Sequence, residues 1–162
     1  MGELFLHCAV AALVSFVVGF IWYNPKVFGT AWMNAAGLTE EKIKSGGRNM
    51  GVVFLLCFVF AFFAAFILQM LVVHQSGAFG MIGGDATHAK PSYAAFMADY
   101  GMAFRTFKHG LLHGTMTGLL MALPIVAINA MFEMKSWKYI WINAGYWIIC
   151  FGLMGGILCA WV

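Results

Sequence analysis

Charge is what this chain has least of. Of its 162 residues only nine are Lys or Arg and six are Asp or Glu, so charged side chains make up 9% of it, where a soluble domain carries about a quarter. So few charges cannot cover a water-exposed globule or keep a disordered chain in solution. The net surplus of +3 is too small and too scattered to track a phosphate backbone, which excludes a nucleic-acid-binding module. Cysteine is scarce and unpaired in pattern: Cys8, Cys57, Cys150 and Cys159 contain no Cys-x-x-Cys. A disulfide-stapled secreted scaffold is excluded, and the thiols read as small buried hydrophobes. A Cys8–Cys159 bridge is allowed by position, but nothing in the pattern calls for it. No Gly-x-Ser-x-Gly elbow, Walker loop or dinucleotide fingerprint occurs. No carboxylate lies deep in an apolar stretch either, which counts against an ion pump.

What is present is apolar. Hydrophobic residues make up 63% of the chain and aromatics 17%, with a mean hydropathy of +0.88. The charges leave four long uncharged stretches, each exceeding the roughly 20 residues that a helix needs to cross a bilayer core. Membrane helices are expected at about 4–23, 50–73, 111–132 and 139–161. They must be helical because lipid offers no partner to a free backbone N–H or C=O. The fold expected is an all-α integral membrane four-helix bundle, one domain over residues 1–162, with short interfacial helices in its loops. The first span has no basic flank and an apolar core too long for a signal peptide, so it is expected to stay in the mature protein.

Four spans put both termini and the loop between spans two and three on one side. The other side carries Lys26, Lys42, Lys44, Arg48, Lys135 and Lys138, against Lys90, Arg105 and Lys108 on the first. Six against three makes the second side cytoplasmic and both termini external. Trp22, Trp32, Trp137 and Trp141 would form the inner aromatic belt and Trp161 belong to the outer one. In the inner loop, 25–33 reads as an interfacial segment ended by Gly37. A surface helix follows, with Thr39 as N-cap, Glu40 and Glu41 in its first turn and an end at Ser45-Gly46-Gly47. In the outer loop, His74–Lys90 shows no periodicity. From Pro91, an aromatic stripe of Tyr93, Phe96, Tyr100, Phe104 and Phe107 predicts one helix resting in the headgroup layer and leading into span three.

Small residues recur every four positions at Gly110, Gly114, Gly118 and Ala122, at Ala11, Ser15 and Gly19, and at Gly152, Gly156 and Ala160. Such seams admit close backbone approach, within one chain or between copies, and suggest a homo-oligomer. Pro124 predicts a break in span three, because the carbonyl of Leu120 loses its donor. Gln69 and Asn129 read as packing amides.

The histidines carry what chemical signal there is. On this topology His7, His74, His88, His109 and His113 all fall on the outer side. His109 and His113 share a helix face at i, i+4 and can chelate a divalent metal. His7 and His74 lie at similar depth, which makes His109, His113, His7 and His74 the candidate ligand set. Cys8, Glu3, Asp85 and Asp99 could complete a shell. No Glu follows His109, so the zinc-protease pattern is missing. The plainer reading, interfacial imidazoles bonded to headgroups, water or carbonyls, ranks first, a metal site second and a proton relay third.

The run Gly19-Phe20-Ile21-Trp22-Tyr23-Asn24-Pro25, then Phe28-Gly29-Thr30-Ala31-Trp32-Met33, then Gly37-Leu38-Thr39-Glu40-Glu41 resembles the N-terminal signature of a bacterial membrane family catalogued as domain of unknown function 1761. His109–Gly114 and Trp141–Gly156 resemble its second half, while Ser76–Lys90 reads as an insertion. The resemblance implies a four-span architecture in the bacterial cytoplasmic membrane and brings no catalytic residues with it. Three functions stay open. In order they are a non-enzymatic, oligomeric membrane bundle, a small transporter or channel for a metal ion, proton or solute with a His-lined outer face, and a metal-dependent membrane enzyme.

Overall fold

The structure, a computed structural model, describes residues 2–161. Helix α1 (Gly2–Trp22) leads through one π-helical turn (Pro25–Gly29) into α2 (Thr30–Ala36) and α3 (Glu40–Ser45). Helices α4 (Met50–Val72), α5 (Gln75–Met81) and α6 (Pro91–Tyr100) follow. The third span consists of α7 (Phe107–Thr117), a π-helical turn (Gly118–Ala122) and α8 (Leu123–Phe132), and α9 (Trp137–Ala160) closes the chain. Four helices are long and apolar enough to cross a membrane: Gly2–Trp22, Met50–Val72, Phe107–Phe132 and Trp137–Ala160. The all-α membrane architecture is as expected. Spans three and four begin a few residues earlier than hydropathy alone suggests, because Thr106 and Ser136 cap them, accepting from the amides of His109 and Tyr139.

Span four is the hub. Half of its most apolar window is buried in protein, against 28% for span one, 17% for span two and 11% for span three. It packs on each of the other three, while spans one and two also pack on each other. The seam of span three lies against it. A Cβ at Gly110 or Gly114 would strike the carbonyl of Gly155 or Phe151, and one at Gly118 would lie 2.5 Å from Cα of Ile148. From the other side, a Cβ on Gly156 would meet the ring of Phe107 at 2.6 Å. These seams are therefore filled within one chain.

The loops resolve the remaining expectations. Gly37 ends α2 at φ 72°, and Thr39 caps α3 by accepting from the Lys42 amide. The Asn24-Pro25 to Gly29-Thr30 part of the aromatic signature builds the π turn. Asn24 Oδ1 accepts from the Lys26 amide at 2.9 Å, the Gly29 amide donates to the Asn24 carbonyl at 2.9 Å, and Thr30 Oγ1 donates to the Pro25 carbonyl at 3.1 Å. Gly29 is needed because any Cβ there would strike the Tyr23 carbonyl. The break at Pro124 takes the form of the π turn just before it, which widens the ladder where proline cannot donate.

Two differences stand out. His74–Lys90 contains a helix, α5, which its glycines conceal. The aromatic stripe does not run as one helix into span three, since α6 ends at Tyr100 and Phe104 adopts φ 64°. Arg105 anchors the chain beyond that stop. Its guanidinium donates to the carbonyls of Cys159 (2.9 Å) and Trp161, tying the segment to the open end of α9. All four cysteines are free. Cys8 Sγ donates to Gln69 Oε1 at 3.4 Å and Cys159 Sγ to the Val72 carbonyl at 3.3 Å.

Candidate metal centre

The end of the bundle that carries the termini gathers three imidazoles. His74 stands just past the C-terminus of α4, and His109 and His113 lie one turn apart on α7. One nitrogen from each ring falls within 4.8 Å of the other two. His109 Nε2 and His74 Nε2 are 2.9 Å apart, sharing one proton between a donor and an acceptor ring. The ring centroids lie 4.4 Å apart for His109–His113, 4.9 Å for His74–His109 and 5.1 Å for His74–His113. His109 and His113 are half-buried and His74 is exposed.

Neutral imidazole is a strong ligand for borderline divalent ions, zinc among them, and a tetrahedral ion with bonds of about 2.0–2.1 Å holds its nitrogens roughly 3.3 Å apart. The three nitrogens already lie within 4.8 Å of one another. Among the described residues no carboxylate joins them, so the set is three nitrogen donors with a position left open. Helix spacing accounts for the pairing of His109 with His113. Their height is fixed by the glycine contact of α7 with α9, and Thr106 caps the helix just before them, its Oγ1 accepting from the His109 amide. The Phe104 ring stacks on His109 at 5.0 Å and 26° and meets His74 edge-on at 6.1 Å. A left-handed backbone is costly for a phenylalanine, and such residues gather at functional sites. Here the conformation, anchored through Arg105, sets an aromatic wall beside the ring.

The other residues of the candidate set are placed elsewhere. His7 stacks on Trp161, with centroids 4.3 Å apart and rings inclined by 21°. It lies outside the three-imidazole group. His88 pairs locally with Asp85 at 2.8 Å, Nδ1 to Oδ2. Cys8 is buried beside Gln69. Phe104 and Gln75 were missed in the sequence. The Gln75 amide donates to the carbonyls of Tyr100 (2.8 Å) and Ala103 (2.9 Å) and so closes the loop next to His74. Gln75 acts across 25–28 residues of chain, and the stacking of Phe104 on His109 depends on a left-handed backbone that the residue type does not announce.

Comparison with known proteins gives one family. No curated protein and no solved structure matches the chain. The model of the family described as "Protein of unknown function (DUF1761)" matches residues 6–159, across both halves and the loop between them. With four membrane-spanning helices and that match over nearly its whole length, the chain belongs to this family of unknown function.

Proposed function

We propose that the protein binds a divalent transition-metal ion at the membrane surface through His74, His109 and His113, and holds or hands on that ion without chemical turnover. The observation that carries this reading is the convergence of His74 with a chelating i, i+4 pair that lies 35 residues away in the chain. Interfacial histidines serving only headgroups have no reason to converge on one another. The excess of Lys and Arg at the opposite end supports an external metal site and external termini in a bacterial cytoplasmic membrane. The homo-oligomer suggested by the small-residue seams needs other surfaces, since span four of the same chain fills those of span three.

The test is metal loading of the detergent-purified full chain. Cobalt(II) should bind at one equivalent with the intense visible absorption of tetrahedral coordination, and zinc should displace it. The His109→Ala, His113→Ala variant should lose affinity by more than about 100-fold, above the 10–100-fold cost of altering an outer-shell partner. His7→Ala should bind as the parent does. Equal binding by parent and double variant would return the imidazoles to an interfacial role.

A further inference from the structure

At the opposite end of the bundle, spans one, two and four do not close against each other. A cavity of about 1090 Å³ lies between them, walled by Phe16, Gly19, Tyr23, Trp32, Phe54 and Tyr146 among others. Its walls are almost wholly apolar, and flanking side chains are open to lipid: Phe20 is 81% exposed and Phe54 54%. Along α1 the cavity runs from Ser15 to Tyr23, about 12 Å of helix, which is most of the roughly 15 Å depth of one leaflet.

One polar group bordering this space has no partner. The indole Nε1–H of Trp32 is shielded from solvent and bonded to nothing among the described residues. The hydroxyl donors around the cavity are engaged. Tyr23 Oη donates to Asn143 Oδ1 at 3.2 Å, Tyr146 Oη to the Ser15 carbonyl at 2.9 Å and Ser15 Oγ to the Ala12 carbonyl at 2.7 Å. A buried donor without an acceptor is costly, and Trp32 is one of the residues that line the cavity. Cations flank the lining residues in the chain. Lys26 follows Pro25 and Arg48 precedes Met50 by two residues; both are exposed and neither takes part in an ion pair among the described residues. The two acidic residues of the same loop, Glu40 and Glu41, lie on α3, where Glu40 pairs with Lys44 at 3.4 Å.

We infer that this cavity is a binding site for one anionic phospholipid, with an acyl chain between spans one and two, an ester or phosphate oxygen accepting from Trp32 Nε1–H, and the headgroup charge met by Lys26 and Arg48. Apolar walls select the chain, the unpartnered donor fixes its depth, and the flanking cations select the sign of the headgroup.

Native mass spectrometry of the full chain, released from mild detergent after titration with phosphatidylglycerol or phosphatidylcholine of identical chains, tests this. One phosphatidylglycerol should be retained, with phosphatidylcholine held about tenfold less tightly. Trp32→Phe keeps the ring and loses the donor, so phosphatidylglycerol retention should fall about tenfold, the worth of one hydrogen bond to a charged group. Cys57→Trp fills the cavity wall and should abolish retention. Leu55→Trp, on an exposed position of the same helix outside the cavity, should leave it intact. Equal retention of the two lipids, preferential retention of oleate, or an unchanged Trp32→Phe variant each overturns the assignment. Should Cys57→Trp fail to fold, the two-lipid comparison and Trp32→Phe still decide.

Discussion

Spans three and four pack in one way and spans one and two in another. In the first pair, glycine faces backbone: Gly110 lies on the Gly155 carbonyl and Gly114 on that of Phe151. In the second, Ala11, Ala12, Ala61 and Ala65 are buried, no glycine meets the backbone of the other span, and large rings line the contact, as Phe5 stacks on Phe62 and Phe66 and Phe16 meets Phe54 and Phe58 at 6.3–6.4 Å. Lipid gives little drive for helices to associate, so close van der Waals contact has to supply it. Where small residues allow that contact the helices lock, and the locked pair carries His109 and His113 in fixed register. Rings meet only edge to edge or offset, and the pair that they line leaves a cavity at its loop-bearing end. Rigid placement of ligand nitrogens and room for an acyl chain thus follow from two side-chain vocabularies in one bundle.

The sharpest way to break the contrast is to put a methyl group where backbones touch. Gly114→Ala should destabilise the bundle by at least about 3 kcal/mol, at the upper end of overpacking penalties because the obstacle is a carbonyl that cannot rotate away. A thermal melt in mild detergent reads this. Gly77→Ala on α5, where an added Cβ meets nothing within 4 Å, should be neutral or stabilising by up to about 1 kcal/mol through helix propensity. Similar melts for the two variants would mean that the glycine lock is not what holds spans three and four.

The looser side should respond more gently. Tyr146 reaches from span four to the Ser15 carbonyl of span one at 2.9 Å, and such interhelical bonds in membranes contribute about 0.6 kcal/mol on average. Tyr146→Phe should therefore lower stability by about that amount, read in the same melt, and leave cobalt binding at the imidazoles unchanged. A fall as large as that of Gly114→Ala would erase the distinction between the pairs.

Much of this was legible in the residues, for reasons that differ by element. The four spans follow from hydropathy because a helix is the structure that satisfies the backbone of one long apolar run within itself. Gly37, Thr39 and Pro124 act within a few residues of themselves, so their stop, cap and break could be read locally. The pairing of His109 with His113 is likewise a property of one helix. The approach of His74 is not, since it depends on how far α4 extends before the chain turns, and nothing local distinguishes it from His7, which meets Trp161 instead. The break between α6 and span three was hidden because distant groups hold it: Gln75 takes the carbonyls of Tyr100 and Ala103, and Arg105 acts on α9, more than fifty residues on. The seam glycines showed that something packs closely, and only the fold says that span four does.

The smallest effect concerns the loop that joins the two pairs. Asp85 accepts from Thr87 Oγ1 at 2.6 Å and from the Thr87 amide at 2.9 Å, and pairs with His88 Nδ1 at 2.8 Å. The Thr87 hydroxyl bond, and after it the His88 bond, hold this carboxyl below its ordinary value of 3.8. Folding thus lowers the pKa, and the unfolded loop takes up protons first on acidification. The contribution of Asp85 is fully present above the ordinary carboxylate value and is lost as pH falls through the lower folded one. The turn is fully exposed, so its loss should stay local. Asp85→Asn at neutral pH should speed amide exchange at Thr87 several-fold while the melt of the bundle does not move. Metal affinity at His74 should hold as well, because Gln75 fixes the chain beside it independently of the turn. A coupled drop in melting temperature would show instead that the loop transmits strain between the locked pair and the open one, and that the two halves of the bundle do not pack independently.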